Sequence, residues 1–121
     1  MVFTNFGKAQ FAIRLGSNIS ESINSIAIGT GSGTALASNT TLVTESDKNA
    51  LTSTDYSATN KVSWTANWSS TELSGTSFKE FGPFSNSTAN TGSAWQREAL
   101  TGSIVFTGNQ EMQVDITAIL F

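Results

Sequence analysis

The 121-residue chain contains no cysteine, no histidine and a single proline, and only 12% of its residues are charged. Without cysteine there are no disulfides, thiolate metal ligands or thiol nucleophiles, so packing or partner subunits must hold the fold. Without histidine the usual hydrolase triads have no imidazole to relay a proton, and most catalytic zinc sites lose a ligand. No apolar run approaches the ~20 residues of a membrane-spanning helix. The opening MVFTNFGKAQ lacks a basic segment followed by an apolar one, so the chain is expected to begin near Met1 without a secretory leader. A formal net charge of -3 supplies no basic field for nucleic acid or anionic lipid, which argues against both partners.

What remains for catalysis is carboxylate chemistry. Glu21, Glu45, Asp47, Asp55, Glu72, Glu80, Glu98, Glu111 and Asp115 are spread singly along the chain. A glycosidase pair needs two carboxyls ~5–10 Å apart in space, and no feature of the sequence selects such a pair. The acids read as solvated surface charges, and no catalytic residue, metal ligand or cofactor is assigned. A carboxylate-only polysaccharide hydrolase stays as a distant alternative.

Residues 26–35, IAIGTGSGTA, place Gly29, Gly31 and Gly33 between hydroxyl residues. A phosphate loop would need a Gly-Lys-Ser/Thr ending, and the dinucleotide fingerprint a glycine where Thr34 stands. The stretch therefore reads as a structural turn. Its glycines offer φ > 0, and its Thr and Ser hydroxyls are placed to satisfy turn amides.

Periodicity organises the rest. Phe6, Ala9 and Ile13, with Phe11 and Leu15, recur at helical steps, predicting one short amphipathic helix over 5–15, with Asn5 as its cap and Gly16 just past its end. Everything after it reads as strands. A buried strand spans 23–28 and ends at Gly29. In 61–69 Val62, Trp64, Ala66 and Trp68 alternate with polar residues, and Met112, Val114, Ile116, Ala118 and Leu120 do the same at the C-terminus. Weaker strands are predicted at 49–58, 76–82, 94–100 and 103–107, with turn clusters at 85–93 and 107–110. The sum is a mainly β chain, a single antiparallel β-sandwich domain over 1–121 with one short N-terminal helix.

In SFKEFGPFS, Phe78, Phe81 and Phe84 surround Glu80, and the Gly82-Pro83 pair predicts a sharp turn or bulge. Trp95 and Arg97 share a face of the following strand, so Arg97 is a candidate to pair with Glu80 as a structural clamp or to stack on a ring. Trp64, Trp68 and Trp95 are the aromatic candidates for a glycan platform, although the strand pattern assigns at least two of them to the core.

Taken in order, the TNFGKAQFAIRLG helix, IAIGTGSGTA, TLVTE, FKEFGPF, TGSAWQRE and the alternating C-terminal strand resemble small β-rich virion proteins of tailed bacteriophages over nearly the whole chain. IGTGSGTA and EFGPF are the most specific parts, with Pro83 standing where related chains carry Leu or Val. The resemblance implies a non-enzymatic structural module that decorates or cements the capsid or belongs to the tail. It implies localisation in the virion after synthesis in the host cytoplasm. The expected partners are other copies of the chain, as a homotrimer or larger symmetric assembly, and the major capsid or tail proteins. Phe3, Phe6, Phe11, Leu120 and Phe121 are the candidate assembly contacts. A tail-fibre or baseplate module that binds host-surface glycan is the alternative.

Overall fold

The computed structural model describes residues 2–17, 22–73, 75–107 and 109–119. The described chain is mainly β, with two antiparallel sheets and a short N-terminal helix. In chain order the elements are β1 (Val2–Phe3), α1 (Asn5–Ser17), β2 (Ser25–Gly29), β3 (Glu45–Ala50), β4 (Ser53–Asp55), β5 (Lys61–Trp68), α2 (Ser70–Leu73), β6 (Ser77–Phe84), β7 (Gln96–Val105) and β8 (Met112–Ile119). The larger sheet runs β1-β7-β6-β2-β3 and the smaller β4-β5-β8. The chain changes sheet between Leu51, whose N–H donates to Asn24 O, and Thr52, whose N–H donates to Thr65 O.

The main core lies between the sheets. Ile26 and Ile28 of β2 meet Trp64, Ala66 and Trp68 of β5 and Ile116 and Ala118 of β8, with Phe78 and Phe106 completing the cluster. The alternating strands thus bury one face each, as period-two patterning requires. β2 is buried at every position because its other face is covered too: Ala27 packs with Leu42, Phe84 and Ala94 beneath the 30–44 and 85–94 connections. The larger sheet is therefore a middle layer, with the smaller sheet on one side and loops on the other.

Helix α1 starts at Asn5, as the 5–15 expectation has it, and runs two residues further, to Ser17, but its cap differs. Thr4, not Asn5, is the cap: its Oγ1 accepts from Gly7 N–H at 3.0 Å and its carbonyl from Lys8 N–H at 3.0 Å. Gly16 lies inside the helix rather than beyond it. A Cβ on Gly7 would overlap the Trp95 carbonyl, so this glycine lets the helix backbone rest on the strand. Only part of the predicted apolar face is used, since Ile13 is 41% and Leu15 88% exposed.

Three other expectations change. The predicted strand at 49–58 is two strands, β3 and β4, and β3 begins at Glu45. The segments at 94–100 and 103–107 form one strand, β7, whose register to β6 shifts where Leu100 to Ser103 stand opposite Lys79. The Gly82-Pro83 pair makes no turn: β6 runs straight past it against β2. On the β7 side the ladder stops at Phe81–Glu98 and resumes one residue out of register at Phe84–Ala94. Pro83 points its missing N–H into that gap, while its carbonyl accepts from Trp95 N–H at 3.0 Å.

Candidate functional site

The structure brings Glu80 and Arg97 together beneath the glycine-rich loop. Glu80 on β6 lies opposite Gly29 of β2 and Ala99 of β7. Alternation puts its side chain on the loop-covered face, and Arg97, two residues before Ala99, shares that face. Arg97 Nε donates to Glu80 Oε1 at 3.0 Å, with the two side chains 1% and 0% exposed. Oε1 also accepts from Val43 N–H (2.7 Å), and Oε2 accepts from Gly31 N–H (2.8 Å) and Thr44 N–H (2.7 Å). The guanidinium continues to Gly33 O (3.4 Å), Thr34 O (3.3 Å) and Asn39 Oδ1 (3.3 Å). One buried ion pair thereby fastens both ends of the 30–44 connection to the sheet.

This geometry explains the glycines differently from the turn expectation. Of the three, only Gly33 has a positive φ, 105°. A Cβ on Gly29 would overlap Thr44 O and lie 2.8 Å from Glu80 Oε2, and one on Gly31 would overlap that same oxygen. Gly29 and Gly31 are small so that a carboxylate and a neighbouring chain can reach the backbone. The Gly31 amide is satisfied by Glu80, not by a neighbouring hydroxyl. Gly82 follows the same logic, since its Cβ would overlap Gln96 O.

A second node fastens the 85–91 connection. Lys48 of β3, 6% exposed, turns inward. Its Nζ donates to Thr91 O (2.7 Å), Asn86 Oδ1 (3.1 Å) and Thr88 O (3.2 Å), sits 3.9 Å from the Phe84 ring centroid and lies 3.5 Å from Glu45 Oε1. Burial pulls the Lys48 pKa below the ordinary lysine value, partly opposed by Glu45.

The candidate assembly rings are engaged within the chain. Phe3 meets Phe11 edge-on at 5.2 Å, and Phe6 and Phe11 meet Trp95 at 6.1 and 5.8 Å. They are half-buried, and their contacts within the chain dock β1 and α1 toward Trp95. Leu120 and Phe121 lie outside the described residues. The tryptophans are core: Trp64, Trp68 and Trp95 are 7%, 1% and 5% exposed. Stacking a sugar needs an open ring face, and these rings expose little of theirs. A cleft of about 430 Å³ opens between α1 and β4–β5, lined by Phe11, Arg14, Thr54 and Tyr56 and reaching Trp64 and Trp95.

Most of the described acids belong to a local network. Asp47 accepts from Trp68 Nε1 at 3.0 Å. Hydrogen bonds from Ser57, from Ser69 and Asn49, and from Thr65 and Gln113 hold Asp55, Glu72 and Asp115 respectively below the usual carboxylate range. A general acid near neutral pH needs the opposite direction. Glu80 has its oxygens occupied by four donors in a site closed to solvent, which suits anchoring and leaves no approach for a substrate. Among the described residues no group of three or more acids gathers that could hold a metal ion.

These features define a two-sheet antiparallel β-sandwich whose buried charges lock its surface loops. Compared with known proteins, the chain matches no family model and shows no significant similarity to any curated protein.

Proposed function

We propose that the chain is a non-enzymatic structural protein of a bacteriophage virion, working as a symmetric oligomer that decorates the capsid or forms part of the tail. The observation that carries this reading is where the chain leaves apolar surface open. Ile104 and Val105 on β7 and Ile119 on β8 are 43%, 58% and 46% exposed along strands of the sheets, while the buried charges are committed to holding loops. Exposed apolar residues on such strands suit association with neighbours better than turnover of a small molecule. Partner subunits would also add stability by mass action to a chain without disulfides. The order-three symmetry and the capsid or tail partners come from the resemblance stated above. The glycan-binding alternative is weakened by the burial of all three tryptophans.

The test is the copy number of this chain relative to the major capsid protein, measured by quantitative mass spectrometry of purified particles. A count close to that of the capsid subunit supports decoration, and a few to a few dozen copies support a tail position. Absence from particles overturns the reading.

A further inference from the structure

We infer that β8 is a homotypic docking edge, on which a second copy of this chain adds its own β8 antiparallel across a two-fold axis at Ile116. The inference deepens the assembly reading and rests on it for its purpose, while its geometry comes from the strand itself.

Natural sheets protect their edges with short strands, bulges, lysines or prolines. Three of the four terminal strands here do so. β1 has two residues and β4 three, and β1 covers only Gln96 and Arg97 of the longer β7. β3 carries Glu45, Asp47 and Lys48 and shifts register against β2. β8 does none of this: it pairs with β5 through eight consecutive residues without a shift, and it contains no lysine, glycine or proline. Among the described residues no strand lies beyond it and no backbone hydrogen bond outside the β5 ladder involves it.

The side chains select both the occupant and the register. For two β8 strands to share one continuous sheet with both core faces on the same side, each residue must oppose one of like parity. Two such alignments are equally central, and the one with its axis at Asp115 sets that residue directly against its counterpart, which like-charge repulsion disfavours. Moving the axis by one residue, to Ile116, sets Asp115 opposite Thr117 of the second copy and Gln113 opposite Ile119. That pairing repeats chemistry the strand already uses on its β5 side, where Thr65 Oγ1 donates to Asp115 Oδ1 at 2.6 Å and Ser63 meets Thr117 at 2.8 Å. On the core face Ile116 meets Ile116, and Val114 meets Ala118. The two three-stranded sheets become one of six strands.

The test is sedimentation of the purified full-length chain across a concentration series, with hydrogen exchange of the β8 peptide as the local readout. An interface of this modest size should give a dimer with a dissociation constant on the order of micromolar. Exchange in β8 should then slow as concentration rises. Two double variants at exposed positions set opposite expectations. Gln113→Glu with Ile119→Glu places glutamates face to face twice across the axis and should weaken the dimer at least about tenfold. Gln113→Lys with Ile119→Glu leaves the net charge at -3, places opposite charges face to face and should tighten it. Near-ultraviolet circular dichroism verifies that each variant keeps the fold. A monomer at all concentrations, an oligomer indifferent to both variants, or a trimer without β8 protection overturns this edge. None of these results would touch the copy number in particles, so the virion reading stands or falls separately.

Discussion

Replacing Glu80 with glutamine changes one oxygen for an NH₂ group and should destabilise the domain out of proportion to that change. The carboxylate accepts four hydrogen bonds, two on each oxygen. In one orientation the new NH₂ faces Gly31 N–H and Thr44 N–H; in the other it faces Val43 N–H and Arg97 Nε. Either way two donors confront a donor, and Arg97, 1% exposed, loses its counter-charge. Orphaning a buried polar group costs about 1–3 kcal/mol, and breaking one side of a buried ion pair about 3–5 kcal/mol. These costs overlap, so the expected loss is about 3–5 kcal/mol, a large share of the ~5–15 kcal/mol that holds a typical domain. Urea unfolding followed by tryptophan emission reads it, because the three buried indoles shift to the red on exposure. Hydrogen exchange localises it, since the amides of Gly31, Val43 and Thr44 should lose protection first. Replacing both partners, Glu80→Met with Arg97→Met, removes the charge problem but still strands three amides, so it too should be destabilising. A Glu80→Gln loss below about 1 kcal/mol with unchanged protection at those amides would refute the claim that this carboxylate anchors the loop.

Three further outcomes follow from the structure. Gly31→Ala should cost about 1–3 kcal/mol, because its Cβ would overlap Glu80 Oε2 and lie close to Val43. Gly16→Ala, with nothing within 4 Å of its Cβ, should stabilise α1 by up to about 1 kcal/mol; urea midpoints moving in the same direction for both would contradict this assignment. Asp55, Glu72 and Asp115 have folded-state pKa values below their unfolded ones. The unfolded chain therefore binds more protons in that range, and stability is complete above about pH 4.5 and falls as pH drops through the lowered values. Urea midpoints at pH 6 and pH 3 test the sign, and Asp115→Asn should flatten part of the slope.

How much of this was readable from sequence depends on the range of the interaction. β5 and β8 were legible because alternation is local: Trp64, Ala66 and Trp68 sit two apart and face one core. β3 was not, because ESDKNA is a polar edge strand whose lysine turns inward to partners around residue 90, and nothing near Lys48 announces that. The helix was legible, but its cap was misassigned by one residue, since Thr4 is held in place by Ala94 and Trp95 at the far end of the chain. The contacts of Phe6 and Phe11 with Trp95, and of Phe3 with Phe11, are out of reach of local pattern for the same reason. The Glu80 and Arg97 pairing was within reach, because a lone acid inside an aromatic strand and a lone arginine on the next are hard to bury separately. What could not be read was the connection of that pair to Gly29 and Gly31, about fifty residues away. A run of glycines suggests conformational freedom, whereas here two of the three make room for a carboxylate.

The two charge nodes also bear on how a chain of this composition can associate. Serine and threonine make up more than a quarter of the sequence, and long connections of that kind have little apolar surface to hold them down. Glu80 with Arg97 holds 30–44, and Lys48 with Glu45 holds 85–91, so the outer face of the larger sheet is closed by the chain's own loops. The smaller sheet closes the other face. With both faces of the larger sheet covered, contact between copies falls to the polar outer face of the smaller sheet and to the strand edges, and of the terminal strands β8 is the one left long, regular and nearly uncharged. A protein meant to stay monomeric would be expected to guard that edge as it guards β1, β3 and β4. Guarding three and leaving the fourth open is a pattern that association explains and an isolated life does not.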